Sequence, residues 1–268
     1  NEMTVAKYFA SLIEKEGVKV VMVLQGGAIM KLIDEVGEHP KLEYLSPNHE
    51  QALSMMVDAY ARINGFGVGL VTSGPGAQNL VTGIACAYYD STPCLFITGQ
   101  VGMFHSKGNR AVRQRGFQET DIVNVVKPIT KYAVLLDKAE DARYVFEKAV
   151  HMAKSGRPGP ALIDLPYNVQ RAIVDPANLE GYVPEREVAR ISQDLDKSIQ
   201  NIFADLVKSE RPIILFGGGV NIAGQGNAIR KFVLKTQVPA LATWCSLDIV
   251  EADNPLYGGV IGRSGNKS

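Results

Sequence analysis

Residues 46–79, SPNHEQALSMMVDAYARINGFGVGLVTSGPGAQN, are the stretch that decides the fold. The pattern predicts a helix over 48–64 that is ended by a glycine. A strand is predicted over 67–72, and the glycine turn at 73–76 leads from it into a second helix over 77–89. A helix, a buried strand and a turn that opens another helix form the repeating unit of an α/β protein.

The same unit repeats on both sides of this stretch. Further short, apolar, β-rich strands are predicted at 18–24, 42–45, 95–98, 130–136 and 161–165. Because these strands are apolar on both faces, they are typical of a parallel sheet buried between helices. We therefore predict an α/β fold in which a parallel sheet and its flanking helices form three layers.

Residues 166–188 interrupt this pattern. They have little periodicity and contain three prolines, which is typical of a linker. Beyond them the pattern predicts a helix over 192–209, a strand over 213–216 and a glycine turn at 217–219. A helix and one more strand near 239–242 add little more than one βαβ unit. The second α/β domain, which resembles a Rossmann unit, is therefore predicted to be incomplete.

The composition narrows the functional classes. The 268 residues carry a formal net charge of zero, which removes the usual electrostatic reason to expect nucleic acid or an anionic membrane as a partner. No apolar run is long enough to span a bilayer. Three cysteines lie in apolar surroundings, so we expect buried free thiols and a cytoplasmic location. Four scattered histidines show no metal-ligand spacing, and we predict no metal site.

Glu50 is the first candidate for chemistry, with two interpretations. An acidic residue in the first turn of a helix interacts favourably with the helix dipole, and Asn48 with Gln51 matches a loose capping box. Alternatively, the following residues look apolar around much of the helix, which predicts burial. A buried carboxyl group tends to hold its proton near neutral pH and can exchange it with a heteroaromatic nitrogen.

The other candidate segments are weaker. The turn at 73–76 would let a ligand approach backbone at a helix N-terminus, but it equally suits an empty turn, and Ser73 is a poor nucleophile candidate. Residues 217–224 follow a strand without the register of a G-x-G-x-x-G fingerprint. The basic loop at 101–116 is either functional or simply solvated.

These segments, in this order, resemble the thiamine-diphosphate enzymes of the acetolactate synthase type. The matching blocks are 25–29, 49–51, 72–84, 97–100, 117–121 and 155–160. The resemblance implies that residues 3–170 bind the pyrimidine ring of thiamine diphosphate. It implies a linker over 171–190 and an incomplete central domain over 191–268, which in some members holds FAD or an adenine nucleotide.

The resemblance also implies residue roles. Glu50 matches the glutamate that hydrogen-bonds the aminopyrimidine ring and so promotes formation of the thiazolium carbon nucleophile. Gln118 matches a second catalytic residue at the reacting centre, with Phe117 beside it. Gly27 and Ala28 match the loop that lines the substrate side.

Further matches concern cofactor contacts. Pro75, Gly76 and Asn79 match the turn beside thiamine diphosphate. Arg157 matches an arginine that contacts FAD, and the residues Gly217, Gly218 and Gly219 match the glycine turn of the flavin-binding members.

The diphosphate-binding domain of the family, with its Gly-Asp-Gly segment, has no counterpart in the sequence. The resemblance therefore implies a fragment, inactive by itself, whose Mg²⁺ would be held by the missing domain. Family members place the cofactor between subunits, so a homodimer or homotetramer is expected. Its contact surface would be the apolar helices over 48–64 and 77–89.

We therefore expect a carboligase or decarboxylase, a transferase or lyase, that acts on a small 2-oxo acid. Two departures fall near the substrate entrance: Gly102 stands where the family usually has proline, and Tyr167 where it has lysine. One alternative is a non-catalytic scaffold or regulatory homologue that kept the fold. A nicotinamide-dependent Rossmann enzyme is a weaker alternative, since it would need a glycine fingerprint with an acidic ribose partner.

Overall fold

A computed structural model of the chain describes residues 2–185, 194–262 and 265. The chain divides into two compact units, Asn1–Arg186 and Glu187–Ser268. In chain order the first contains β1 (Met3–Thr4), α1 (Val5–Lys15), β2 (Val20–Val23), α2 (Met30–Gly37), β3 (Glu43–Leu45), α3 (Glu50–Asn64), β4 (Gly67–Val71), α4 (Pro75–Asn79), α5 (Val81–Tyr89), β5 (Cys94–Gln100), α6 (Ile122–Val126), β6 (Tyr132–Leu135), α7 (Ala142–Lys154), β7 (Ala161–Pro166), α8 (Tyr167–Arg171) and β8 (Ile173–Val174).

A six-stranded parallel sheet in the order β3-β2-β4-β5-β7-β6 forms the centre of this unit. Helices α1, α2 and α7 pack on one face of the sheet, and α3, α5 and α6 pack on the other. The predicted three-layer α/β fold is thereby confirmed. The chain passes from β2 to β3 on one side of the sheet and from β4 to β5 on the other, so the connections after β2 and β4 lead in opposite directions. Such a switch point opens a crevice at the carboxyl ends of the strands.

Several local predictions are wrong. The N-cap of α3 is His49 rather than Asn48: its extended backbone lets Nδ1 accept a hydrogen bond from the Gln51 N–H at 3.0 Å. The helix predicted over 77–89 is two helices that divide at Leu80. The sequence 117–120 also predicts the start of a helix, but this helix, α6, begins only at Ile122 and is capped by Asp121.

The start of the predicted linker is ordered. Strand β8 pairs antiparallel with β1, with Val174 opposite Met3, and Val174 is buried in the core. Pairing between two short strands was invisible to periodicity, because neither is long enough to show one. Residues 186–190 of the predicted linker lie outside the described residues.

The second unit contains α9 (Leu195–Lys208), β9 (Ile214–Phe216), α10 (Gly219–Ile222), α11 (Gly226–Thr236), β10 (Ala240–Ala242) and β11 (Tyr257–Val260). Its three strands are parallel in the order β11-β10-β9. The strand β11 was not predicted. Residues 192 and 193 of the helix predicted over 192–209 lie outside the described part.

Two of the three cysteines are not buried, although burial of all three was expected. Cys94 is buried, but Cys86 and Cys245 are exposed, and all three are free thiols. An apolar neighbourhood in sequence did not guarantee burial, because neighbouring residues on a helix face different sides. Within the described ranges, no helix combines the length and apolar character required to cross a membrane.

Candidate active site

The candidate site lies at the switch point, where the loop after β2 meets the turn after β4. Thr72, directly after β4, joins the two segments: its Oγ1 accepts a hydrogen bond from the Ala28 N–H at 3.3 Å. A Cβ added to Gly76 would lie 2.8 Å from Thr72 Cγ2, so the turn packs against the same side chain. The switch point therefore holds together segments separated by more than forty residues in sequence.

Glu50 begins α3 beside this turn. Its Oε2 accepts a hydrogen bond from Asn79 Nδ2 at 3.0 Å. Its Oε1 lies 3.4 Å from the position that a Cβ on Gly76 would take, and no hydrogen bond to it is present among the described residues. Asn79 thus orients the carboxylate, and the glycine leaves room beside the second oxygen. The turn also begins α4 with the exposed Pro75 at its first position.

The predicted burial of Glu50 is wrong for this chain, because the side chain is only half-buried. One face of α3 packs on the sheet through Leu53, Val57 and Ala61. The opposite face remains exposed, including Met55 at 44% and Ile63 at 85%. The helix is apolar on two faces, and the chain itself covers one of them.

Gln118 occupies an uncommon backbone conformation, with φ of 58°. It lies directly against Gly74, where an added Cβ would fall 2.8 Å from Gln118 Cβ. Gly74 itself has φ of 60°. Backbone in sparsely populated regions persists only where its surroundings hold it, and such residues concentrate at functional sites.

A pocket of about 460 Å³ brings the predicted substrate-side residues together. Gly27, Ala28, Phe117 and Gln118 all line it. Gly102 and Tyr167, which differ from the residues that the resemblance predicts there, also line it, as do Thr72, His105 and Arg115. The Arg115 guanidinium donates to the Phe104 carbonyl at 2.6 Å.

The basic loop beside the pocket is organised by Glu119. Its carboxylate accepts hydrogen bonds from the Lys107, Arg115 and Gly116 N–H groups and from the Ser106 hydroxyl at 2.7–3.3 Å. Partial burial alone would raise the pKa of Glu119, but these hydrogen bonds outweigh it and hold the pKa below its usual value. The loop is thus shaped by one carboxylate, which composition could not reveal.

Asp164 is a buried acid that sequence reasoning missed. It lies on β7 with 2% of its surface exposed and accepts hydrogen bonds from Thr98 Oγ1 at 2.6 Å and Gln100 Nε2 at 2.8 Å. Burial raises its pKa to about 7, against the opposing effect of those hydrogen bonds. Asp164 and Gln100 line a second pocket of about 310 Å³, and Gln100 also lines the first. An aspartate within the apolar run ALIDLP was the available signal.

The predicted flavin contacts are carried by other elements. Arg157 is exposed on the loop before β7, at the amino end of the sheet, and its Nη1 donates to Ser91 Oγ at 3.4 Å. In the second unit, Gly217 and Gly218 connect β9 to α10, and Gly219 is the first residue of α10.

Comparison with known proteins assigns segments of both units to one enzyme family. Residues 3–125 match the family described as "Thiamine pyrophosphate enzyme, N-terminal TPP binding domain", and residues 199–268 match the central domain of the same enzymes. The chain belongs to the thiamine pyrophosphate enzyme family. The family's N-terminal match includes Glu50, the 73–76 turn and Gln118, whereas Asp164 lies outside it.

Relatives of this family resemble most of the chain. It is 37% identical over 256 residues to the acetolactate synthase large subunit of Lactococcus lactis, covering 93% of this chain and 42% of that protein. It is 36% identical over 269 residues to the acetolactate synthase isozyme 2 large subunit of Escherichia coli, covering 99% and 46%. The probable acetolactate synthase large subunit of Methanocaldococcus jannaschii is 36% identical over 272 residues, covering 98% and 44%. The chain thus spans less than half the length of these relatives.

Proposed function

We propose that the native protein carrying this chain is a thiamine-diphosphate-dependent carboligase or decarboxylase, of the acetolactate synthase type, that acts on 2-oxo acids. The observation that carries the proposal is the Glu50 carboxylate, oriented by Asn79 and open on one oxygen beside Gly76. The similarity to acetolactate synthases supports the reaction class.

The residues at the switch point fit the pyrimidine end of the cofactor. Glu50 Oε1 has room and no described hydrogen-bond partner, so it can share a proton with a ring nitrogen. Asn79 would hold the carboxylate in that orientation, and the 73–76 turn would give backbone access. When bound, thiamine diphosphate supplies the carbon nucleophile for 2-oxo acid chemistry. Its diphosphate and Mg²⁺ would be held by another domain of the native protein.

The pocket beside this turn suits a small 2-oxo acid. Arg115 and His105 line it and offer positive or hydrogen-bonding groups to a carboxylate. Gln118 is held against the turn by its contact with Gly74 and would face the reacting atoms. We propose that Gly102 and Tyr167 help decide which 2-oxo acid is accepted.

Self-association is part of the proposal. The exposed face of α3 presents Ala52, Met55, Ala59 and Ile63, all apolar and spaced by three, four and four residues. This is the spacing of a helix seam that packs against another helix. A second copy of the chain is the proposed partner, as a homodimer or within a homotetramer in the cytoplasm.

Binding of FAD or another adenine nucleotide stays a prediction that rests on Arg157 and the turn of Gly217, Gly218 and Gly219. Visible absorbance of the purified native protein, with the mass of any released nucleotide, would decide it.

Glu50→Gln tests the catalytic proposal in the native protein. The substitution keeps the shape but cannot hold a shared proton, so exchange of the thiazolium C–H proton with solvent should slow by about a hundredfold or more. Affinity for the cofactor, measured by calorimetry, should change much less. Glu140→Gln, on the surface before α7, is the matched control.

Exchange at the rate of the unsubstituted protein would remove Glu50 from the mechanism. Tight binding of thiamine diphosphate by the unsubstituted protein, with no turnover of any 2-oxo acid, would instead favour the scaffold alternative.

A further inference from the structure

The backbone of Ala28, at the wall of the larger pocket, is held on both sides of its Cα. Its N–H donates to Thr72 Oγ1 at 3.3 Å, and its carbonyl oxygen accepts from Gln170 Nε2 at 2.7 Å. Gln170 lies 142 residues further along the chain, on α8. A loop next to a pocket is thus tied to a distant helix by one side-chain amide.

The orientation of the Gln170 amide is fixed by its partners. Nε2 also donates to the Leu165 carbonyl at 2.9 Å, and only an NH₂ group can face two carbonyl oxygens. The side chain is fully buried, and its Oε1 has no hydrogen-bond partner among the described residues. Leaving a buried acceptor unpaired is unfavourable. The Gln170 amide therefore keeps its two hydrogen bonds to the Ala28 and Leu165 carbonyl oxygens although its own oxygen is left unpaired.

Gly99 of β5 supplies a third constraint. A Cβ at this position would lie 2.5 Å from the Ala28 carbonyl carbon and 2.8 Å from the Ile29 nitrogen. The loop backbone therefore rests directly on the strand, where any side chain would displace it. Thr72 restrains the peptide group before Ala28, and Gln170 and Gly99 restrain the one after it.

We propose that Gln170 is a positioning residue that fixes the Gly27–Ala28 loop at the pocket wall without touching the substrate. A loop held in its binding geometry needs no further ordering when a ligand enters. The catalytic consequence rests on the proposed function, but the restraint itself belongs to the ligand-free chain.

Gln170→Met in the native protein separates the restraint from general stability. Methionine has a similar length and lacks both donors. Hydrogen exchange in the segment 26–30 should rise by about tenfold or more, with little change in 67–71. The control Val150→Ala removes buried volume from a different element, α7, and matches a general loss of stability. Unchanged exchange in 26–30, or a rise no larger than in the control, would overturn the proposal.

Kinetics test the consequence separately. With 2-oxo acid as substrate, Gln170→Met should lower kcat by about tenfold or more, because small displacements at a reacting centre are costly. The Val150→Ala enzyme should keep its kcat at a temperature where both are folded, and an equal fall in both would contradict the positioning role. If the unsubstituted protein turns over no 2-oxo acid, the proposed function fails, while the exchange experiment still decides whether Gln170 restrains the loop.

Discussion

The Asp164 carboxyl makes a pH-dependent contribution to stability that its neighbours in sequence do not suggest. Its pKa is raised to about 7 by burial, well above the value in an unfolded chain. Between about pH 4 and 7 the folded state therefore binds more protons than the unfolded state, and stability falls as pH rises. From about pH 5 to 8 the loss attributable to this group is about 2–3 kcal/mol.

Asp164→Asn should remove that slope. Denaturant unfolding of the variant at several pH values should give a flatter stability profile than the unsubstituted protein, whatever the absolute loss from disturbing the Thr98 and Gln100 hydrogen bonds. The exposed Asp137→Asn change serves as the control. Parallel profiles for the unsubstituted and Asp164→Asn proteins would show that the carboxyl does not titrate in this range.

The contact between Gly74 and Gln118 can be tested by a substitution at Gly74. Gly74→Ala places a methyl group 2.8 Å from Gln118 Cβ and also requires a non-glycine φ of 60°, so Gln118 must move. Stability should fall by about 1–3 kcal/mol and activity should fall with it. Gly17→Ala is a matched control, because Gly17 has φ of 82° but open space around it. Equal activities in the two folded variants would mean that Gln118 is not displaced from a functional position.

At this scale, sequence predicted the types of residue better than their surroundings. Glu50 and Gln118 were predicted from short local motifs that resemble those of the family. Their contacts with Asn79 and Gly74, which are 29 and 44 residues away in sequence, form only in the folded chain. Asp164 carried no motif at all.

For helices and strands too, local patterns in the sequence were predictive, and features that depend on particular contacts were not. Apolar runs predicted each strand of the large sheet, most plainly the central strands β4, β5 and β7, which are buried throughout. Caps and breaks were missed where a single side-chain contact decides them, as with His49 at α3. The two-residue strands β1 and β8 depend on long-range pairing that no local window contains.

The hydrogen bonds of Glu119 are predicted to protect the loop before Phe117 from proteolysis. Glu119→Gln keeps the shape but replaces a charged acceptor, which weakens four hydrogen bonds. Trypsin should then cleave faster after the loop cations Lys107, Arg110, Arg113 and Arg115. Glu140→Gln should leave the cleavage rate unchanged, and an equally slow rate in Glu119→Gln would show that other contacts hold the loop.

The direction of the Glu119 pKa shift predicts how the stability of the same loop depends on pH. Because the pKa of Glu119 is lowered in the folded state, its stabilising contribution is complete above the unfolded value of about 4.3. It is lost as pH falls through the folded value. Cleavage by an acid-active protease should therefore accelerate at the acidic end in the unsubstituted protein, and much less so in Glu119→Gln.

At the scale of the whole molecule, self-association is tested at the exposed apolar stripe of α3, which consists of Ala52, Met55, Ala59 and Ile63. Met55 and Ile63 are 44% and 85% exposed, so a monomer would present both to water next to the half-buried Glu50. If a second copy covers this face, Met55→Glu with Ile63→Glu places charges in a desolvated contact and should weaken association by at least about tenfold. Sedimentation of the native protein over a range of concentrations would measure this.

Val183→Glu, on a residue equally exposed but remote in sequence from α3, controls for added charge. An unchanged mass in the double variant would place the contact elsewhere. A fall in mass accompanied by loss of activity, with normal folding by circular dichroism, would connect the stripe to the site. That result is expected because α3 carries both the stripe and, at its first residue, the Glu50 carboxylate.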